Sequence, residues 1–406
     1  MDRRGTTSQM TAWRWVACAC LLAATSMLLA DDGGMKEYPT KYYLVHTDLE
    51  PAEAREAQVR MTRMAEEYQR RTEGFSGRIT TRLPFYLYKD RADYTKAGGI
   101  EKSAGYFDGE RLMAVTLRTQ DGAISLSTWD VVQHEGFHQF AHAVIGDLPM
   151  WADEGLGEYF GEGLFTGDGF VTGLIPQSRL VRVQKLFLEG RETPLRDLLN
   201  LTRDQWNQKI EMSRYDQAWS LVHFLAHGEQ GRLQKAFVGY MKEVGKGQDW
   251  QKAYNRYLGS IPNLEDRWKR WWIEQPNNPT ADGYARVTLA MLTSFLARAH
   301  AQGQTFADFE ALVKTPAEGM KQAEGQWLPP GLWKVAVSEA SRMRARGVQF
   351  VLVKGRAPAI VMTMPDGGKF AGRFEVKGDE VSGVRTEVVA GGKRQGATEA
   401  KIPDRR

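Results

Sequence analysis

The sequence predicts an α+β protein: a small mixed sheet with helices, then a mainly helical domain, then a small β-rich domain. Three observations support this prediction. Short runs of β-branched and aromatic residues flank a long amphipathic stretch in the first third of the chain. Apolar residues then recur at helical spacing, and alternating strand patterns follow towards the C-terminus. The 406 residues are enough for two or three domains, each with its own core.

Residues 1–30 have the features of a secretory signal peptide. Three arginines form a basic leader, an apolar run covers residues 15–29, and the small residue Ala30 stands where cleavage is expected. The apolar run is short for a membrane span, and an uncleaved N-terminal anchor is the alternative. We therefore expect a secreted or periplasmic protein with no stable membrane span in its mature chain.

The charge balance and the cysteines exclude several classes of protein. Lysine and arginine number 54 against 50 acidic residues, a net charge of +4, which is too even to predict a nucleic-acid partner. Both cysteines, Cys18 and Cys20, lie in the leader. The mature chain would have no disulfide framework and no thiolate metal site, so His, Asp or Glu must hold any metal.

Residues 31–126 are predicted to be the α+β part of the first domain. Strand patterns rich in aromatic and β-branched residues occur in three segments, residues 41–48, 78–90 and 111–118. An amphipathic helix is expected between the first two, from about residue 51 to residue 71.

Residues 127–276 are predicted to be the helical part of the same domain. Ser127 followed by Asp130 is typical of a capping box, which places a helix start there. Gly146 should end this helix, and a second helix should begin near Met150. Further helical periodicity, broken by Gly and Pro, fills the rest of this region.

A run of Pro and Asn after Gln275 indicates a domain boundary. Residues 277–390 are predicted to form a C-terminal helical and β-sheet domain. Its helices are expected at 285–301 and 331–345, followed by a small antiparallel sheet in which "PDGG" makes a hairpin turn. The polar residues 391–406 are expected to be a disordered tail.

The segment "HEGFH" is an HExxH motif. Residues four apart in a helix share one face, so the imidazoles of His134 and His138 can reach the same Zn²⁺ ion. Glu135 lies off that face, where it can take a proton from a water molecule on the metal. The spacing therefore predicts two zinc ligands and one general base.

A third ligand is expected from the helix that follows. A histidine six residues after the motif would be one solution, but Val144 stands there. Glu154 and Glu158 are four apart and share a face, so both stay open as ligands, and Glu162 continues the row one turn further. His142 would lie about 12 Å along the axis from the first histidine, too far to join the same site.

The segment "WADEGLGEYF" resembles the W-x-x-E-G-x-A-E-Y-F segment of gluzincin zinc peptidases of the MA clan. It is most similar to the peptidase-MA-like domain of secreted bacterial proteins of unknown function. The resemblance implies a zincin-like helical domain in which Glu154 binds the zinc. It also implies that the Glu158 carboxylate holds a ligand histidine, most directly His134. Gly157 departs from the pattern, which has Ala at this position.

Two further residues or segments gain expected roles. "RYDQAWSLVHFL" resembles a downstream gluzincin segment whose Tyr hydroxyl supports the oxyanion, which implies that role for Tyr215. A peptide substrate is expected to pair with an edge strand, for which 111–118 is the candidate and "AGYFDG" a neighbour that shapes the cleft.

The hypothesis from the sequence is a secreted zinc metallopeptidase of the endopeptidase type. Zn²⁺ would be its cofactor and a peptide or protein its substrate, with Glu135 as general base. The alternative is a non-catalytic, zinc-containing module that binds peptide or cell-wall material. Retention of Glu135 favours the enzyme, because a structural zinc site needs no base. The sequence predicts no oligomeric state.

Overall fold

The computed structural model of the protein describes residues 34–208 and 211–389. The predicted signal peptide at 1–30 and the predicted tail at 391–406 lie outside the described residues, as do both cysteines. Within the described residues, no helix combines the length and the apolar character that a membrane span requires.

The chain divides into two compact units. Among the described residues, the first comprises those up to Glu162 together with Ser178–Gln275, and the second comprises Gly163–Gln177 together with those from Pro276 onwards. The segment Gly163–Gln177 thus belongs to the second unit, whereas the division drawn from the sequence kept it within the helical region 127–276. Each unit combines helices with a small sheet, which confirms the predicted α+β class.

The first unit contains a five-stranded sheet made of β1 (Lys36–Pro39), β2 (Tyr43–Thr47), β3 (Leu83–Tyr88), β4 (Gly105–Phe107) and β5 (Leu112–Val115). The spatial order is β1-β2-β3-β5-β4. Strands β2, β3 and β5 are parallel, and β1 and β4 pair antiparallel at the two edges. The predicted strand at 111–118 is therefore an interior strand, and the expectation that it forms the substrate-binding edge was wrong. The edge strand next to it is β4.

Helices cover both faces of this sheet because its strands alternate their side chains. The first three helices are α1 (Pro51–Thr72), α2 (Arg91–Lys96) and α3 (Leu126–Val144). Leu112 and Ala114 face a core shared with residues of α1 and α3, such as Met61 and Trp129. Met113 and Val115 face the other side. Helix α3 is thereby held against the sheet beside β4.

The ends of α3 follow from local capping. The helix begins at Leu126, and the Oγ of Ser125 accepts a hydrogen bond from the backbone N–H of Ser127 at 3.2 Å. The N-cap is therefore Ser125, and the prediction that Ser127 caps the helix was wrong by two residues. The predicted end near Gly146 is confirmed, since this residue has φ of 108° and its N–H reaches back to Ala141 at 3.0 Å.

The rest of the first unit is helical. Its helices are α4 (Met150–Gly161), α5 (Gln177–Leu188), α6 (Leu195–Asn200), α7 (Arg203–Gln208), α8 (Met212–Gly231), α9 (Gln234–Val244), α10 (Trp250–Tyr257) and α11 (Ile261–Ile273). Helix α4 is buried along its whole length and packs between α3 and α8. A surface helix exposes its polar face, but α4 has no exposed face, so its polar side chains lie against other protein groups rather than water.

The second unit is built around one long helix and an antiparallel sheet. Its elements are the hairpin β6 (Leu164–Phe165) and β7 (Phe170–Val171), the helices α12 (Ala281–Ala301), α13 (Phe309–Lys314) and α14 (Pro330–Ala345), and the strands β8 (Gln349–Val353), β9 (Ala359–Thr363), β10 (Lys369–Lys377) and β11 (Glu380–Val388). The sheet has the order β11-β10-β9-β8. The predicted "PDGG" hairpin joins β9 to β10.

Candidate metal centre

Helix α3 presents its two motif histidines on one face, one turn apart. The Nε2 atoms of His134 and His138 lie 3.0 Å from each other, and the rings meet edge to face. Both side chains are largely withdrawn from solvent, with 13% and 8% exposed. Two imidazoles that aim the same ring nitrogen at one point form half of a tetrahedral site.

Helix α4 adds Glu154 to this pair. Its Oε2 lies 3.4 Å from Nε2 of His134 and 3.7 Å from Nε2 of His138. These contacts are in ion-pair range but not in hydrogen-bond geometry, and this buried oxygen has no hydrogen-bond partner among the described residues. One ligand atom from each of the three side chains falls within 4.8 Å of the others. The structure thus brings together the three residues predicted as metal ligands.

Two glycines on α4 allow α3 and α4 to approach this closely, because they have no side chains. A Cβ atom on Gly157 would lie 3.0 Å from Cε1 of His134, and one on Gly161 would lie 3.3 Å from the carbonyl oxygen of Asp130. The glycine at 157, which departs from the resembled pattern, therefore gives the ring of His134 its place against α4.

Asp153 orients the second histidine. Its Oδ1 lies 2.9 Å from Nδ1 of His138, so the carboxylate accepts the Nδ1 proton and Nε2 is left with a lone pair when the ring is neutral. Glu158 lies on the corresponding side of the other histidine, with Oε1 3.4 Å from Nδ1 of His134. Glu154 and Glu158 consequently lie on opposite sides of that ring, one at each nitrogen.

The donor set fits a zinc ion. Ligand atoms at about 2.0–2.1 Å from a tetrahedral zinc lie roughly 3.3 Å apart, and the three separations here are 3.0, 3.4 and 3.7 Å. The buried Oε2 of Glu154 has no hydrogen-bond partner among the described residues, and a cation held between the three side chains would supply one. The nitrogen and oxygen donors match the preference of zinc for imidazole and carboxylate ligands.

Without a metal, protons take the place of the cation. Burial disfavours a charged imidazole, but the charge and hydrogen bond of Asp153, with Glu154 and Glu135, outweigh it and raise the pKa of His138 to about 10. The pKa of His134 is also raised, because its contacts with Glu154 and Glu158 outweigh its burial. Both imidazoles therefore bind a proton more tightly than an ordinary histidine does, which shows that their surroundings favour a positive charge.

Glu135 is buried and contacts the sheet edge. Its Oε2 accepts a hydrogen bond from the backbone N–H of Phe107 at 3.1 Å. Phe107 is the last residue of β4, so the predicted base bridges the motif helix and the edge strand. Its charge contributes to the raised pKa of both His134 and His138, which places the carboxylate within electrostatic range of the cluster.

The network behind Glu158 was not predicted from the sequence. Arg179 on α5 has a side chain that is 1% exposed and donates to the Oε2 of Glu158, to Glu162 at 3.1 Å and to Asp216 at 2.8 Å. Neither Arg179 nor Asp153 belongs to a recognisable motif. The only signal in the sequence is the position of Asp153 directly before Glu154.

Tyr215 lies in the first turn of α8. It is 5% exposed and its ring packs edge-on against Trp206 at 5.3 Å between centroids. Its predicted oxyanion role stays a prediction. His142 is exposed on α3, and its ring lies 5.6 Å from that of Phe107.

The remaining histidines pack elsewhere. His46 stacks on Tyr86, and His300 lies against Phe374 in the second unit. On α8, the Nε2 of His227 is 2.8 Å from the hydroxyl of Tyr159.

Comparison with known proteins places one family on this region. A family described as a protein of unknown function, DUF1570, matches residues 128–248. No curated protein matches the chain. The matched segment contains the HExxH motif, α4, Arg179 and Tyr215, so the similarity of this chain to that family coincides with the candidate metal centre.

Proposed function

We propose that this protein is a zinc-dependent metallopeptidase, a hydrolase of peptide bonds. The observation that carries the proposal is the convergence of ligand atoms from His134, His138 and Glu154 beside a buried carboxylate, Glu135, that is not part of the ligand set. A structural zinc site is usually closed by a fourth protein ligand, whereas a catalytic site keeps that position open. Three protein ligands and an adjacent base favour catalysis.

Zinc in this site would supply Lewis acidity, polarising a carbonyl and making water acidic at neutral pH. The protein groups would move and hold the protons. The carboxylate of Glu135 would take a proton from the attacking water and pass it to the leaving amine. Asp153 and Glu158 would hold the protons on the Nδ1 atoms of the two histidines. Tyr215 is proposed as the donor to the oxyanion.

The edge strand β4 is the proposed docking element for an extended peptide. It is the outermost strand of the sheet on the side of α3, and its last N–H contacts Glu135. A peptide that adds to a sheet edge is held by main-chain hydrogen bonds, which gives affinity with little dependence on sequence. Such docking would bring a scissile carbonyl next to the base, which supports an endopeptidase.

The test compares the zinc-loaded protein with its Glu135→Gln variant on a library of peptides. We expect the parent to cleave peptides in a chelator-sensitive way and the variant to bind the same equivalent of zinc yet lose about 10²–10⁴-fold in rate. Glu101→Gln, at an exposed glutamate of the same unit, is the control and should cleave like the parent.

Two results would overturn the proposal. Equal cleavage by the parent and Glu135→Gln, both zinc-loaded, would remove the base from the mechanism. Stoichiometric zinc with no hydrolysis in the parent would favour the alternative, a non-catalytic module that binds peptide or cell-wall material.

A further inference from the structure

A buried arginine lies directly behind the candidate metal centre. The side chain of Arg179 is 1% exposed, and its guanidinium meets three carboxylates, those of Glu158, Glu162 and Asp216. Burying a guanidinium is costly unless its donors are all paired, so this arrangement is retained only where the partners are well placed. The three carboxylates together fix the position of the guanidinium.

The guanidinium is also fixed from its other sides. Its central carbon lies 4.8 Å from the ring centroid of Trp219, and its Nε donates to Asp216 at 2.8 Å. Asp216 in turn accepts from Arg182 at 2.6 and 2.8 Å. Arg179 is thus anchored to α8 independently of its contact with α4.

The contact with α4 leads to the metal site. One oxygen of Glu158 accepts from Arg179, and the other lies 3.4 Å from Nδ1 of His134. The Nε2 of His134 points at the ligand cluster. A continuous row therefore runs from the anchored guanidinium through one carboxylate and one imidazole to the position that a metal would occupy.

We propose that Arg179 is a positioning residue of the metal centre, which acts by fixing the Glu158 carboxylate against the Nδ1 side of His134. This inference rests on the zinc site of the proposed function. The guanidinium is a rigid planar fork in which Nη2 faces Glu158 while Nε faces Asp216, whereas a lysine ammonium is a compact point charge that does not fix these two separate directions. The geometry of arginine, and not only its charge, is required.

Arg179→Lys tests this directly, because it keeps the charge and removes the fork. We expect the zinc dissociation constant, measured by competition with a chromophoric chelator, to rise about tenfold, the lower end of what partners of ligand residues contribute. In a Glu158→Gln background the same change should add no further loss, because Arg179 acts through that carboxylate. A merely structural role would weaken binding equally in both backgrounds.

Arg267→Lys is the matched control. Arg267 makes a two-pronged pair with Glu229, at 2.8 and 2.6 Å, between α11 and α8. The control loses the same kind of interaction in the same unit. Because it has no contact with the ligands, it should bind zinc within about twofold of the parent, which is the expected scatter of such measurements.

The outcomes separate the two proposals. A parent that binds no zinc overturns both. Two other results overturn only the role of Arg179. One is an Arg179→Lys variant that binds zinc as tightly as the parent, and the other is an equal loss of zinc affinity from Arg179→Lys in the parent and in the Glu158→Gln background. If Arg179→Lys does not fold, the charge-matched pair Arg179→Met with Glu158→Gln replaces it. That double variant should bind zinc like Glu158→Gln alone, and markedly weaker binding contradicts the inference.

Discussion

Asp153 and His138 form a buried pair in which Oδ1 lies 2.9 Å from Nδ1, although the two residues stand on different helices. The other oxygen of Asp153 lies 3.6 Å from the half-exposed Arg203. The pair fixes which imidazole nitrogen keeps its proton, and so which one can bind a metal. Arg203 adds a positive charge that helps to keep the carboxylate ionised.

We expect Asp153→Asn to weaken zinc binding by about 10–100-fold, because an amide stabilises the Nδ1 proton of His138 less than a carboxylate does. Competition with a chelator at pH 7 measures the effect. Asp147→Asn, an exposed position in the loop between α3 and α4, is the control and should bind like the parent. Equal affinity for the two variants would show that Asp153 has no influence on the ligand.

Zinc binding at pH 7 should release protons. The pKa of His138 is raised to about 10 and that of His134 is raised, so the metal-free site carries protons that zinc must displace. Apparent affinity should therefore rise with pH, by about tenfold per unit for each proton displaced. Titration calorimetry in two buffers of different ionisation enthalpy counts the protons. Binding without any proton release would contradict the raised pKa values.

The Asp153–His138 pair should stabilise the metal-free protein in a defined pH window. The pKa of His138 rises from 6.5 to about 10 on folding, so its contribution is fully present below pH 6.5 and is lost as the pH rises through 10. The pKa of Asp153 falls below 3.8, because His138 and Arg203 outweigh burial, so its contribution is lost only in stronger acid.

Thermal unfolding of the chelator-treated parent and Asp153→Asn variant measures this window. The difference in melting temperature should be larger at pH 6 than at pH 10.5. A difference that grows towards alkaline pH would reverse the sign and refute the assignment.

Two glycines of α4 should respond differently to the same change. A Cβ on Gly155 would lie 2.5 Å from the backbone oxygen of Ala218, which cannot move without shifting α8. We expect Gly155→Ala to lower the free energy of unfolding by about 1–3 kcal/mol or more. A Cβ on Gly157 would meet the ring of His134 at 3.0 Å. Gly157→Ala should destabilise less and weaken zinc binding, because the ligand ring must give way.

Denaturant unfolding and chelator competition on both variants separate the two effects. Gly157→Ala with unchanged zinc affinity would mean that the ring of His134 can shift without consequence for the site.

Some of the site could be predicted because it depends on local geometry. The facing imidazoles of His134 and His138 follow from helical periodicity alone. The choice of Glu154 over Glu158 as ligand came from resemblance, and the structure places Glu154 at Nε2 and Glu158 at Nδ1 of His134. Spacing could not separate them, since both lie on one face of α4.

The contacts that escaped prediction link residues that are distant in the sequence. Arg179 meets Glu158 across 21 positions and Asp216 across 37. The edge strand β4 has only three residues, too few for an alternating pattern, and it was identified only as a neighbour of the expected edge. Its position follows from the pairing of β5 with both β3 and β4.

The sequence by itself determined the α+β class, the helical HExxH face and its two histidine ligands, because these depend on periodicity and short spacing; for the third ligand, spacing left Glu154 and Glu158 open and only the resemblance favoured Glu154. Only the tertiary structure decided which carboxylate faces which nitrogen, which strand forms the edge beside Glu135, and which arginine supports the site. These relations depend on how close α3, α4 and α5 approach one another, and that distance is set by packing at glycines and by buried ion pairs between helices.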